Sequence, residues 1–180
     1  MKKKIGNYVM ALLAVVLCVN LSGCNKDDEG GYVWDIAPLG ITIVVEDEDG
    51  NNLLDPNVPG NIVNEDIRAI YKGEMYEKDA LAQNPQSKAI PAIFRGLYTV
   101  VPIQNSYYCL RFGDFKGSGK YDNEEVTIEW YDGTKDTFRF SAWTNAVDQK
   151  DPIFYRNYWL NGKDCGNNDG VFKLIKSPKK

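Results

Sequence analysis

The sequence predicts an all-β fold: an antiparallel β-sandwich, with a small β-barrel as the alternative. Short runs rich in Val, Ile, Thr, Tyr, Phe and Trp recur along the chain, punctuated by Gly, Asn and Asp. Several of these runs alternate apolar and polar residues, the period of a strand with one buried face. Beyond the N-terminal leader nothing suggests a long helix. The one candidate for a helical turn, residues 78–91 (KDALAQNPQSKAIP), is limited by Pro85.

The first run, Ile41–Glu46, is dense in β-branched residues and ends at a polar turn, Asp47–Asn52. Ile67–Tyr71 follows, and Lys72-Gly73 turns the chain into Glu74–Glu77. Residues 92–103 read as a strand broken at Gly96, and Ser106–Phe112 as the next. Glu125–Tyr131 and Asp136–Trp143 flank the turn Asp132-Gly133-Thr134. Ile153–Leu160 and Gly170–Lys176 complete a set of eight or nine strands at short spacing, the pattern of a sandwich or barrel.

One hairpin can be specified further. Val126, Ile128 and Trp130 share one face of their strand, as do Phe138 and Phe140 of the next. A two-residue loop at Asp132-Gly133 would set these two groups on opposite faces. Side chains alternate with period two, so only an odd-length loop unites them. The expectation is a three-residue loop, Tyr131-Asp132-Gly133, with Gly133 at positive φ as a bulge.

The N-terminus has a different character. Lys2, Lys3 and Lys4 precede an apolar run, Tyr8–Val19, too short for the roughly 20 residues of a membrane-spanning helix. A short apolar run behind lysines reads as an export signal. Leu21-Ser22-Gly23-Cys24 then resembles the lipobox of bacterial lipoproteins. That resemblance implies cleavage before Cys24 and a diacylglycerol on its sulfur. Asn25-Lys26-Asp27-Asp28-Glu29 resembles the surface-export tag of Bacteroidetes lipoproteins, which implies anchoring at the outer membrane, facing the cell exterior. Gly30 and Gly31 suit a flexible tether. The expected organisation is a cleaved signal peptide (1–23), a lipidated Cys24 on an acidic tether (24–32) and a single β-domain (33–180).

The stretch ITIVVEDEDGNNLL resembles the opening hairpin of secreted sandwich modules of the carboxypeptidase-regulatory and transthyretin kinds. It implies an Ig-like or transthyretin-like sandwich, although Asp55–Gly60 stands where those modules continue with a small residue and Gly. The chain beyond the leader resembles β-rich surface lipoproteins of Bacteroidetes, a resemblance that carries no activity.

Charge and composition narrow the chemistry. The whole chain has a net charge of −4, and loss of the leader lysines makes the remainder more acidic. An acidic domain repels phosphate backbones, and no Gly-rich phosphate loop is present, so nucleic acid is not an expected partner. The chain contains no histidine, which removes catalysis by an imidazole base and most catalytic zinc sites. Outside the leader and the lipobox, two cysteines remain, Cys109 and Cys165. In an oxidising compartment they either pair, a bridge worth roughly 4 kcal/mol in the chain-entropy picture, or Cys109 stays a small buried thiol in a strand.

Three candidate chemistries remain. Asp47, Asp49, Asn51 and Asp55 offer hard oxygen ligands at alternate positions, the type Ca²⁺ requires. Counted from Asp47, however, the places an EF-type loop gives to Gly and Glu hold Asn52 and Val58. A polar hairpin turn is therefore the expectation, and neither a metal nor another cofactor is. The oxygen-rich stretch Asn161–Asp169 is spaced no better. Among the carboxylates, Glu129 lies amid aromatic residues and is the candidate for a glycosidase acid, against its expected place on a solvated face. Lastly, four Trp and eleven Tyr are many for this length. Most should be core, but Trp143, Tyr155 and Trp159 fall where a strand face can meet solvent. They are the candidate ligand-binding residues.

The expected function is a lipid-anchored surface module that binds a glycan or an envelope protein and does not catalyse. An adhesin or pilus-type subunit assembling through sheet edges is the second reading, and a carboxylate-based glycosidase the third.

Overall fold

In a computed structural model the described residues form ten strands and no helix: β1 (Leu39–Glu46), β2 (Arg68–Tyr71), β3 (Glu74–Ala82), β4 (Leu97–Val100), β5 (Cys109–Phe115), β6 (Tyr121–Glu129), β7 (Lys135–Thr144), β8 (Phe154–Leu160), β9 (Lys163–Gly166) and β10 (Val171–Ile175). The structure describes residues 35–82, 94–100, 107–145 and 150–179. The expected signal peptide, Cys24, the tether and residues 83–91 of the expected helical turn lie outside them. Residues 78–82 of that stretch are strand, the C-terminal half of β3.

The strands form one mixed sheet in the order β10-β1-β5-β4-β3-β2-β6-β7-β8-β9. The expectation of a wholly antiparallel sheet is corrected at two pairings, β1 with β10 and β3 with β4, which are parallel. Both unite strands that no hairpin joins. β1 and β10 come from opposite ends of the domain, and β3 reaches β4 through residues 83–96. Such crossovers are what parallel pairs require.

β3 also bends the sheet. Its first half, Glu74–Glu77, pairs with β2, whereas Lys78, Asp79 and Ala82 pair with β4. The sheet curls at this strand, and the inner faces of its two halves meet. Phe138 of β7 meets Phe172 of β10 with ring centroids 4.9 Å apart, and Phe115 of β5 lies 5.1 Å from Phe140 of β7. Ile41, Ile43 and Val45 from β1, Leu110 and Phe112 from β5, and Val126 and Ile128 from β6 complete a buried interior. Each apolar side chain withdrawn from water this way contributes roughly 1.5–3 kcal/mol.

The β6–β7 hairpin forms as expected. Val126 pairs with Phe138 and Glu129 with Lys135, and the Trp130 amide donates to the Thr134 carbonyl at 2.9 Å, which leaves Tyr131-Asp132-Gly133 as a three-residue loop. Gly133 has φ +80°, and Val126, Ile128, Trp130, Phe138 and Phe140 are all buried. The Asp132 carboxylate accepts hydrogen bonds from the Thr134 amide (2.9 Å) and hydroxyl (2.6 Å), which fixes the turn.

Two features hold the last strand in place. Gly170, at φ +72°, lets its backbone approach β1 so closely that a Cβ there would lie 2.2 Å from the Gly40 carbonyl. Its own carbonyl accepts from the Thr42 amide at 2.7 Å. After β10, Lys176 reaches a buried polar cluster under the hairpin. Its Nζ lies 2.8 Å from Asp136 Oδ2 and 4.8 Å from the centre of the Trp130 ring. Trp130 Nε1 and Asn161 Nδ2 each donate to the Asp136 carboxylate at 2.8 Å. Burial alone would raise the Asp136 pKa, but these three donors outweigh it and hold the carboxyl below its usual range.

Candidate functional site

The outward face of the β7–β8 pair brings together two exposed aromatic residues, Trp143 and Tyr155. Phe138, Phe140 and Ala142 turn inward along β7, so Arg139, Ser141 and Trp143 take the other face. In β8 Tyr158 is inward, and Tyr155, Asn157 and Trp159 face out. The antiparallel register sets Trp143 opposite Tyr155, Ser141 opposite Asn157, and Arg139 opposite Trp159. Three cross-strand pairs thus run along one face.

The first pair is an open aromatic surface. Trp143 is 42% and Tyr155 41% exposed. Their rings stack within 17° of parallel, with centroids 5.8 Å apart, a favoured offset geometry. Ile153, also exposed, immediately precedes β8, whereas the exposed Phe154 shares the face of Tyr158. Exposed apolar side chains clustered in this way mark an interaction surface more often than isolated ones do.

The other two pairs are polar or mixed. Ser141 Oγ accepts the Asn123 amide at 2.9 Å, made available by a bulge in β6. Asn157 Nδ2 donates to Asp164 Oδ2 of β9 at 3.3 Å. The Arg139 guanidinium lies over the Trp159 ring, 4.4 Å from its centre. Among the described residues no carboxylate comes within ion-pair distance of Arg139, and its buried Nε has no hydrogen-bond partner.

Of the three aromatic residues singled out from sequence, Trp143 and Tyr155 therefore come together at the surface. Trp159 lies on the same face but is half-buried beneath Arg139. Sequence reasoning missed Arg139, Ser141 and Asn157. The register implied by two adjacent strands could have found them, because their face is fixed once Trp143 and Trp159 are placed on it.

The remaining candidates serve other purposes. Cys109 in β5 and Cys165 in β9 are both free thiols. Neither strand neighbours the other in the sheet: Cys109 pairs across to Val100 of β4, and β9 pairs with β8. Of the two alternatives open from sequence, a bridge or unpaired thiols, the structure has the unpaired thiols. Burial pushes the Cys109 thiol pKa up, and Cys165 Sγ donates to the Lys163 carbonyl at 3.5 Å.

The calcium candidate is a turn. Asp47 Oδ1 accepts the amides of Asp49 (3.0 Å) and Asn51 (2.8 Å), and Oδ2 accepts Asn51 Nδ2 (2.9 Å). The Asn51 side chain leads in holding the Asp47 carboxyl below its usual range. Asp55 is engaged with Asn57 through both its amide and its side chain. The Asp47 oxygens and Asp55 Oδ1 thus accept N–H groups of their own turns. Glu129 pairs across the hairpin with Lys135 at 3.5 Å.

A cleft of about 540 Å³ opens beside the bend in β3, lined by Glu65, Asp66, Glu77 and Asp79 with Arg68 and Lys78. Its central cation is occupied with the fold itself. Lys78 Nζ donates to the carbonyls of Val63 (2.6 Å) and Glu65 (2.7 Å), and Glu65 is paired with Lys179 of the tail. Burial lowers the Lys78 pKa, yet the ammonium is needed to satisfy those carbonyls.

Compared with protein-family models, curated proteins and solved structures, the chain matches none.

Proposed function

We propose that this chain is a lipid-anchored, outward-facing surface module that binds a glycan through the β7–β8 face. The observation that carries the reading is the exposed, near-parallel Trp143–Tyr155 pair. The apolar C–H face of a pyranose ring stacks on such an exposed aromatic surface. The anchor rests on the lipobox Leu21–Cys24 and the acidic residues after it. Binding without catalysis is the simpler use of an open sheet face, and the chain lacks histidine. We read the curled sheet as a sandwich rather than a closed barrel, because β9 and β10 stand at opposite ends of the strand order.

A glycan array probed with the full chain tests the binding reading. Retention of a glycan class that Trp143→Ala and Tyr155→Ala each abolish is the expected result. No retention, or retention indifferent to both variants, overturns it. The anchor is tested separately by metabolic labelling with a fatty-acid analogue. Label on the wild type and none on Cys24→Ser is expected, and a labelled Cys24→Ser overturns the assignment.

Assembly through sheet edges has one observation in its favour, the exposure of Val171 and Ile175 on the edge strand β10. Against it, both edge strands are short and carry lysine, the usual means of blunting an edge. Concentration-dependent oligomers in sedimentation, lost on Val171→Lys, would favour this second reading.

A further inference from the structure

The two ends of the β7–β8 face differ in chemistry. One is the Trp143–Tyr155 surface; the other is the Arg139 guanidinium over the Trp159 ring. Four residues along β7 separate Trp143 from Arg139, about 13 Å at about 3.3 Å per residue. Between them lies the Ser141–Asn157 pair, of which Ser141 is buried and Asn157 supplies the polar surface. The face is therefore a strip with a sugar-stacking end, a polar middle and a cationic end, and it is longer than one sugar ring.

The Arg139 end has the character of a hydroxyl-binding site. The Trp159 ring beneath the guanidinium leaves its N–H groups unused, and no carboxylate among the described residues lies within ion-pair distance of it. Carboxylates nevertheless flank it in register: Glu125 opposite Arg139 on β6, and Asp164 opposite Trp159 on β9. Asp164 already orients Asn157. Donors in a fixed fork beside carboxylate acceptors match adjacent hydroxyls, which both donate and accept. The same carboxylates repel an anionic ligand, so an acidic sugar is disfavoured despite the arginine.

We propose that Arg139, Asn157 and Trp159 form a second subsite, so that the ligand is a linear, uncharged oligosaccharide lying along β7 and β8 and gripped at both ends. This rests on the glycan-binding reading above and specifies its ligand class and its second anchor. Two linked contacts on one rigid face make affinity depend on chain length, because the second contact becomes intramolecular once the first has formed.

The test is titration of the full chain with cello-, xylo- and manno-oligosaccharides, each from monosaccharide to hexasaccharide, and with oligogalacturonates as the acidic series. In at least one neutral series affinity is expected to rise about tenfold or more once the chain spans both ends. Arg139→Met should remove that rise while leaving the affinity for the shortest sugar unchanged, and Trp143→Ala should weaken every length. Asn157→Ala provides the same readout should Arg139→Met fail to give a native melting transition. Affinity independent of length, an equal loss at all lengths in Arg139→Met, or tighter binding of the galacturonates overturns the second subsite and leaves the Trp143–Tyr155 site standing. No binding in any series overturns both.

Discussion

Gly133 and Asp136, three residues apart, hold the same hairpin by different means. At Gly133 the requirement is purely conformational: φ is +80°, and a Cβ would meet nothing within 4 Å. Gly133→Val should therefore cost about 1–2 kcal/mol through backbone strain alone, and Gly133→Asn less, since Asn tolerates that region. Urea melts of the three proteins check this. At Asp136 the requirement is electrostatic. Its folded pKa is depressed, so its contribution is complete above the unfolded value of about 3.9 and is lost as pH falls through the folded value. Asp136→Asn should lower stability near neutral pH and flatten its decline below about pH 4. An acid limb as steep as the wild type's would refute the assignment.

Individual strands were the level at which the sequence was most legible, and pairing the level at which it was least so. The three-residue hairpin followed from five apolar residues that had to share a face. By contrast β9 was overlooked, although Asn161-Gly162 is a strong two-residue hairpin signal. Both residues adopt positive φ, +49° and +80°, between Leu160 and Lys163. The four residues that follow carry no apolar alternation, so periodicity had nothing to detect. The parallel pairings escaped because partner choice between distant strands leaves no local mark. The aromatic pair was half legible: exposure of Trp143 and Tyr155 followed from their face, whereas Trp159 beneath Arg139 depended on a cross-strand neighbour. Alternation in β10 gives a prediction at this scale. Phe172 packs against Phe138 and Tyr158, and Val171 is 49% exposed. Phe172→Ala should cost about 3–5 kcal/mol and Val171→Ala no more than about 0.5 kcal/mol. Comparable losses from the two would mean that β10 lies in another register.

The whole molecule is closed by its C-terminal segment. β10 brings the end of the chain beside β1, and residues 176–179 then fasten parts of the fold that are distant in sequence. The Lys176 amide donates to the Glu46 carbonyl at 2.8 Å, Tyr131 Oη donates to the Ser177 carbonyl at 2.9 Å, and the Lys179 amide donates to the Gly60 carbonyl at 2.9 Å. The more enclosed of the tail's ion pairs is Lys176–Asp136, with side-chain exposures of 14% and 12%. Removing one member of a buried pair strands the other in a place that water reaches poorly. A chain ending at Ile175 should therefore lose on the order of 3–5 kcal/mol from this source. The same charge underlies the Asp136→Asn effect, so the two changes cannot be independent. Once Asp136 is neutral, truncation no longer strands a carboxylate. The double variant should thus be more stable than the sum of the two single losses by roughly 0.5–3 kcal/mol, the usual range for coupled sites. Denaturant melts of the four proteins complete the cycle. Additive losses would mean that the tail stabilises the domain through its backbone hydrogen bonds and not through the ammonium beneath the hairpin.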